Sequence, residues 1–133
     1  EGEFLDYKNA IPRRNPINVV VDTKTMLQSL ERVSVVISEK LKSPVRCLFE
    51  EDRVTMSAKT ASGDAKDVCR IAGDGQGLEI GFNNRYLMDA LRYAPADTVK
   101  MELNTGISPA IIVPTEGEEN FLYMVLPVRL KAN

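Results

Sequence analysis

The sequence predicts an α+β protein built from two copies of one βαβββ unit, with both helices packed on one face of an antiparallel sheet. Three observations predict it. Residues 21–30 (Val-Asp-Thr-Lys-Thr-Met-Leu-Gln-Ser-Leu) and residues 82–91 (Phe-Asn-Asn-Arg-Tyr-Leu-Met-Asp-Ala-Leu) repeat one pattern 61 positions apart. In each, an apolar strand end meets Asp or Asn, then a basic residue, a pair of larger side chains and a Leu at helical spacing, which is a strand, a cap and a helix stripe. Around both copies, short runs alternate apolar and polar as half-buried strands do. The turns between those runs are short, which favours antiparallel neighbours.

Taken in order, residues 1–11 read as the frayed end of an earlier unit, and Pro12-Arg13-Arg14-Asn15-Pro16 as a linker. We therefore expect residues 1–13 to close a preceding domain and residues 14–133 to form the main one. A strand at 17–21 leads into a helix capped by Asp22 or Thr23 and running to about Ser38, before Lys42-Ser43-Pro44 breaks the pattern. Residues 45–49 and 53–59 form a hairpin around Glu50-Glu51-Asp52, and 65–72 add a third strand. The second copy repeats the order: a strand at 78–82, a helix capped by Asn83 or Asn84 and running to about Tyr93, then strands at 98–103, 110–113 and 121–126.

Composition narrows the function classes. The 133 residues are 44% hydrophobic and 27% charged, ordinary for a domain with one real core. No apolar run approaches the ~18 residues that span a bilayer. The start, Glu1-Gly2-Glu3-Phe4, carries neither an initiator Met nor a signal pattern, so the chain reads as a piece of something longer. The absence of histidine removes the commonest general base and the commonest zinc ligand, and we expect neither catalysis nor a cofactor. Cys47 and Cys69 lie in apolar strand-like stretches and read as reduced core residues, in keeping with a cytoplasmic location. With a net charge of only −2, any nucleic-acid contact has to be local.

The helices show where such a contact would lie. Met26, Leu27, Leu30, Val33 and Ile37 form one apolar stripe, and Leu87, Met88, Leu91 and Ala94 the other. The opposite arcs carry Lys24, Gln28, Glu31 and Arg32, and Arg85, Asp89 and Arg92, so four basic residues face two acidic ones. Val35 falls on the polar arc and Val36 at its border, as a contact for another protein surface would. Residues 121–128 and 110–113 do not alternate. In a sheet covered by helices on one side only, such strands need a partner on the other.

With the doubled unit, the segment from Gly81-Phe82-Asn83 to Leu91, the strand start Ser108-Pro109-Ala110 and the ending Tyr123-Met124-Val125-Leu126-Pro127-Val128-Arg129-Leu130, the chain resembles the bacterial DNA polymerase III beta subunits, the sliding clamps. The resemblance covers the whole chain and matches their third, C-terminal domain plus the tail of the second. It implies the DNA-clamp fold and a non-catalytic processivity factor: a head-to-tail homodimeric ring whose helices line a hole for duplex DNA. Lys24, Gln28, Arg32, Arg85 and Arg92 would then face the DNA, in contacts that ignore sequence and weaken with salt. Val35 and Val36 would sit at the ring-closing interface, and a fragment without the first domain would be monomeric.

The resemblance also implies a groove for short partner peptides, typically a Gln followed by apolar residues ending in Leu and Phe. The partners would be the DNA polymerase III alpha subunit, the clamp loader and repair polymerases. Matching positions are Leu5, Asn9 and Ala10 in the domain-two tail, Leu41 after the first helix, Asn83 and Tyr86, Ile107 and Pro109, and Met124, Val125, Leu126, Pro127, Val128, Arg129 and Leu130 at the end. Leu5 stands where the family often has Pro, Asn9 where Arg is frequent, and Lys131-Ala132-Asn133 extends past the usual ending.

Two other readings compete. Gly73-Asp74-Gly75-Gln76-Gly77 could hold phosphate in a small-ligand domain or enzyme, but it lacks the Lys-Ser/Thr of a P-loop and opens a strand, as a turn does. Asp64, Asp67 and Asp74 could form a metal site on paper, though turn acids are usually solvated. A β-rich interaction module without DNA is the third reading.

Overall fold

The computed structural model describes residues 15–37, 44–61, 63–115 and 122–130. Its elements are β1 (Ile17–Asp22), α1 (Thr23–Val33), a 3-10 turn (Ser34–Val36), β2 (Val45–Phe49), β3 (Arg53–Thr60) and β4 (Gly63–Ala72), followed by β5 (Leu78–Phe82), α2 (Asn84–Tyr93), β6 (Thr98–Leu103), β7 (Ala110–Pro114), β8 (Tyr123–Val125) and β9 (Pro127–Val128). The βαβββ order is present twice, and the expected α+β class is the observed one. The expected 1–13 tail lies outside the described residues.

The repeat is visible in atoms. Asp22 Oδ2 accepts from the Thr25 amide at 2.9 Å, and Asn83 Oδ1 accepts from the Tyr86 amide at 3.2 Å. Each side chain caps its helix by satisfying a backbone donor that has no partner within the helix. Between the two candidates named for each start, Asp22 and Asn83 are the caps.

All pairings among the described strands are antiparallel, in the order β8-β7-β6-β1-β4-β3-β2-β5-β9. Exchanging the two units maps the run β8-β7-β6-β1-β4 onto β4-β3-β2-β5-β9. The units interlock, since the first strand of each pairs with the second strand of the other: β1 with β6, and β5 with β2. β4 belongs to both runs, pairing with β3 from Gly63 to Arg70 and with β1 at Ile71 and Ala72. The final segment plays the same part: β8 pairs with β7 and β9 with β5.

Both helices cover the same face and pack against each other, with Arg92 Nη2 3.8 Å from Glu31 Oε2 across the pair. Met26, Leu30, Leu87 and Leu91 of the predicted stripes are buried against Phe49, Phe82 and the inward residues of the strands. Cys47 and Cys69 are free and buried, and burial pushes the Cys47 thiol up to about 12. Both behave as small apolar residues.

The structure corrects the sequence-based boundaries in two places. The helix expected to run to Ser38 ends at Val33 and tightens into the 3-10 turn. There the Ser34 hydroxyl donates back to the Glu31 carbonyl at 2.8 Å, and two β-branched valines follow, both unfavourable to continued helix. The strand expected at 121–126 is only Tyr123–Val125 among its described residues; past Leu126 the chain forms β9 in another place of the sheet, and Phe121 lies outside the described residues. Its lack of alternation has that cause. Met124 and Ile111 share the outward face and Val125 and Ala110 the inward one, and the register restarts after the break. Part of the outward apolar surface is also covered from within, because Ile111, Val113 and Leu122 form a second small cluster with Met124 against it.

Candidate docking groove and helix face

β5 positions several of the residues named for a groove. One of its edges pairs with β2, and the other takes β9 through Gly81 opposite Val128 and Phe82 opposite Pro127. The chain leaves Phe82 directly into the cap residue Asn83, so Asn83 and Tyr86 start α2 beside Pro127. The 104–109 loop reaches the same strand: a side chain at Gly106 would lie 2.9 Å from the Glu79 carbonyl oxygen. Pro109 then enters β7, which pairs with β8. The Asn15 amide pins this corner by donating to the carbonyls of Glu102 at 2.9 Å and Pro109 at 3.4 Å. Asn15 was read as linker, and no local signal in the sequence marks this role.

The surface so formed is apolar and open. Ile107 is 71% exposed, Leu126 52% and Tyr86 40%, while Pro109, Met124, Pro127, Val128 and Leu130 are half-buried. Val125 is fully buried and supports the wall from behind. Asn83 spends its Oδ1 on the helix cap, which fixes the side chain. Tyr123 extends the strip along α2, where burial raises its phenol above the ordinary value and Asp89 and Tyr93 add to the rise. Leu5, Asn9, Ala10 and Leu41 lie outside the described residues.

The helix face carries less free positive charge than the sequence count suggests. The Arg32 guanidinium is 2.7 Å from Asp67 Oδ2 on β4, and Arg92 is 3.2 Å from Asp89 Oδ1. Burial raises the Asp67 carboxyl, but hydrogen bonds from Ser29 and Arg32 outweigh it and hold the group below its ordinary value. Lys24 and Arg85 are exposed and make no ion pair with another described residue, and Gln28 is exposed between the charges.

The 3-10 turn presents Val35 at 80% exposure, with Val36 half-buried beneath it and its carbonyl accepting from the Thr60 hydroxyl at 2.8 Å. Beside it, β4 from Gly63 to Arg70 pairs with β3 on one edge and with no described strand on the other.

A sequence profile described as DNA polymerase III beta subunit, C-terminal domain, matches residues 8–129. The chain belongs to this family. A beta sliding clamp from Synechocystis is 34% identical over 98% of this chain and 34% of its own length. Among solved structures, the DNA polymerase III beta subunit of Thermotoga maritima superposes with a TM-score of 0.84 at 32% identity, covering 97% of this chain and 35% of that one. A sliding clamp from Bartonella birtlesii, solved bound to griselimycin, gives 0.84 at 28% identity over 96% of this chain and 34% of that one. The chain thus spans about a third of the length of these relatives.

Membership of the beta-subunit family does not favour the phosphate-site reading, and the local geometry agrees. The open depression of about 410 Å³ beside the glycine-rich loop is lined by Glu50, Glu51, Asp52 and Asp74, with Arg53 as its one cation, already 3.1 Å from Glu50. That field repels phosphate. Asp64 and Asp67 fall on opposite faces of β4, and Asp74 Oδ1 accepts from the Gln76 amide at 2.8 Å, so the three do not converge on a metal. Among the described residues, no helix is long and apolar enough to cross a membrane.

Proposed function

We propose that this chain serves as the third domain of a ring-shaped sliding clamp, with residues 1–13 as the end of the domain before it. The whole protein is a non-catalytic, cytoplasmic processivity factor, a head-to-tail homodimer that encircles duplex DNA. The helix face meets the phosphates, chiefly through Lys24 and Arg85, with Arg32, Arg92 and Gln28 as neighbours. Encirclement retains the DNA, so weak contacts suffice and let the ring slide. Val35, Val36 and the open edge of β4 support a ring-closing contact: an apolar side chain stands in water next to unpaired strand backbone, a combination that favours pairing with another chain. Taken by itself, this third domain is a monomer.

The groove on the β5 edge takes short peptides from the DNA polymerase III alpha subunit, the clamp loader and repair polymerases. The observation that carries this reading is that the last segment runs from β7 at Met124 to the β5 edge at Pro127 and Val128, next to Asn83 at the end of β5, with Leu126 and Ile107 left in water. Apolar walls would bury the peptide's Leu and Phe while fixed polar groups orient its backbone. Affinity near 1 μM, about −8 kcal/mol, would let partners exchange. Fluorescence anisotropy with a labelled Gln-Leu-Ala-Leu-Phe peptide tests it. Saturable binding weakened at least tenfold by Leu126→Asp is the expected outcome, and equal affinity for both proteins contradicts the groove. Leu126 is half exposed, so this change leaves the fold intact.

A further inference from the structure

We infer that Gly81 is the positioning residue of the groove, an inference that rests on the docking reading above. β9 holds to the sheet through only two residue pairs, Gly81 with Val128 and Phe82 with Pro127. So short a ladder fixes little by itself, and the seat of the segment against the β5 edge depends on what it meets there. It meets the bare backbone of Gly81. A Cβ there would lie 2.8 Å from the Val128 carbonyl oxygen and 2.9 Å from Leu130 Cγ, and it would collide with Leu130 Cδ2. Real Cβ contacts essentially never fall below 3.0 Å. The Leu130 side chain can swing aside, but the Val128 carbonyl is backbone and moves only if β9 lifts off β5.

The glycine is needed for space and not for conformation, since Gly81 is absent from the positive-φ residues, which are Gly63, Gly73, Gly77 and Gln76. Its place in the chain makes that space a gauge for the groove. Asn83 and Tyr86 follow it on the same backbone and form one wall, and Val128 and Leu130 rest directly on it and form the other. The seat of the last strand therefore sets the distance between the walls. Any side chain at residue 81 separates them while leaving the buried side of β5, Ile80 and Phe82, in place.

The test compares the wild-type chain, Gly81→Ala and the control Ile80→Val, which weakens the core of the same strand without touching the seat. Two quantities are read: the affinity for the labelled Gln-Leu-Ala-Leu-Phe peptide, and the nuclear Overhauser contact between the Leu130 methyls and the α-proton of residue 81. Gly81→Ala should lose that contact and bind at least tenfold more weakly, whereas Ile80→Val should keep the contact and bind within twofold of wild type. An intact contact in Gly81→Ala, or equal weakening by Ile80→Val, overturns the inference. If the wild-type chain binds no peptide, the docking reading fails, and the seat is judged by the Overhauser contact alone. If Gly81→Ala does not fold, the same change is made in a chain ending at Leu126, where the seat is empty. Recovery of the fold there supports the inference, and continued failure overturns it.

Discussion

Asp22 and Asn83 do the same job with different chemistry, and the difference is measurable. Asp22 accepts from both the hydroxyl and the amide of Thr25, and these bonds hold its carboxyl below the ordinary value of 3.8. A group whose pKa is depressed on folding adds stability above its unfolded value and loses it as the pH falls through the folded one. Asp67, lowered by Ser29 and Arg32, adds to the same window. Stability should therefore drop below about pH 4, and Asp22→Asn should flatten that drop. At neutral pH, Asp22→Ala and Asn83→Ala should each cost about 1 kcal/mol in urea unfolding. Only Asn83→Ala should also weaken the peptide, because only that cap stands at the groove. Both caps were legible in the sequence to within one residue, from residue type and position. The hold of Asp67 on Arg32 was not, because it joins residues 35 positions apart on different elements.

The doubled unit predicts equivalence between elements. Leu30 and Leu91 occupy the same place in their repeats, and both are buried to 1% exposure or less. Leu30→Ala and Leu91→Ala should each cost roughly 2–5 kcal/mol, measured by chemical denaturation. A large difference between them would mean that the helices pack unequally. The clearest elements follow runs whose period was plain: alternation in β3 and β6, helical stripes in α1 and α2. The final segment failed as a prediction for a definite reason. Alternation marks faces only while a strand stays beside the same neighbour, and this segment leaves β7 for β5 at Leu126. The proposed groove rests on a greasy ending and a family motif. Its floor was not legible, since nothing near Gly81 in the sequence announces that Leu130 will lie on it.

At the scale of the whole molecule, the net charge of −2 conceals a division of labour between faces. The helix face is positive by count, but ion pairs engage two of its four cations and leave Lys24 and Arg85 free among the described residues. Asp67→Asn should release Arg32 and strengthen low-salt binding to duplex DNA by a few-fold. Arg85→Ala should weaken it and lower the slope of log affinity against log salt by about 0.9. Equal salt slopes for wild type and Arg85→Ala would remove the helices from the DNA path. The proposed docking surface lies elsewhere, on the β5 edge where the two ends of the sheet are joined by one segment. Chemical-shift mapping of the ¹⁵N-labelled chain with the Gln-Leu-Ala-Leu-Phe peptide tests that placement most directly. The account predicts shifts concentrated at Asn83, Tyr86, Ile107 and Met124–Leu130, with the outward residues of β3 and β4 unmoved. Shifts centred on β3 and β4, or none at saturating peptide, would contradict it.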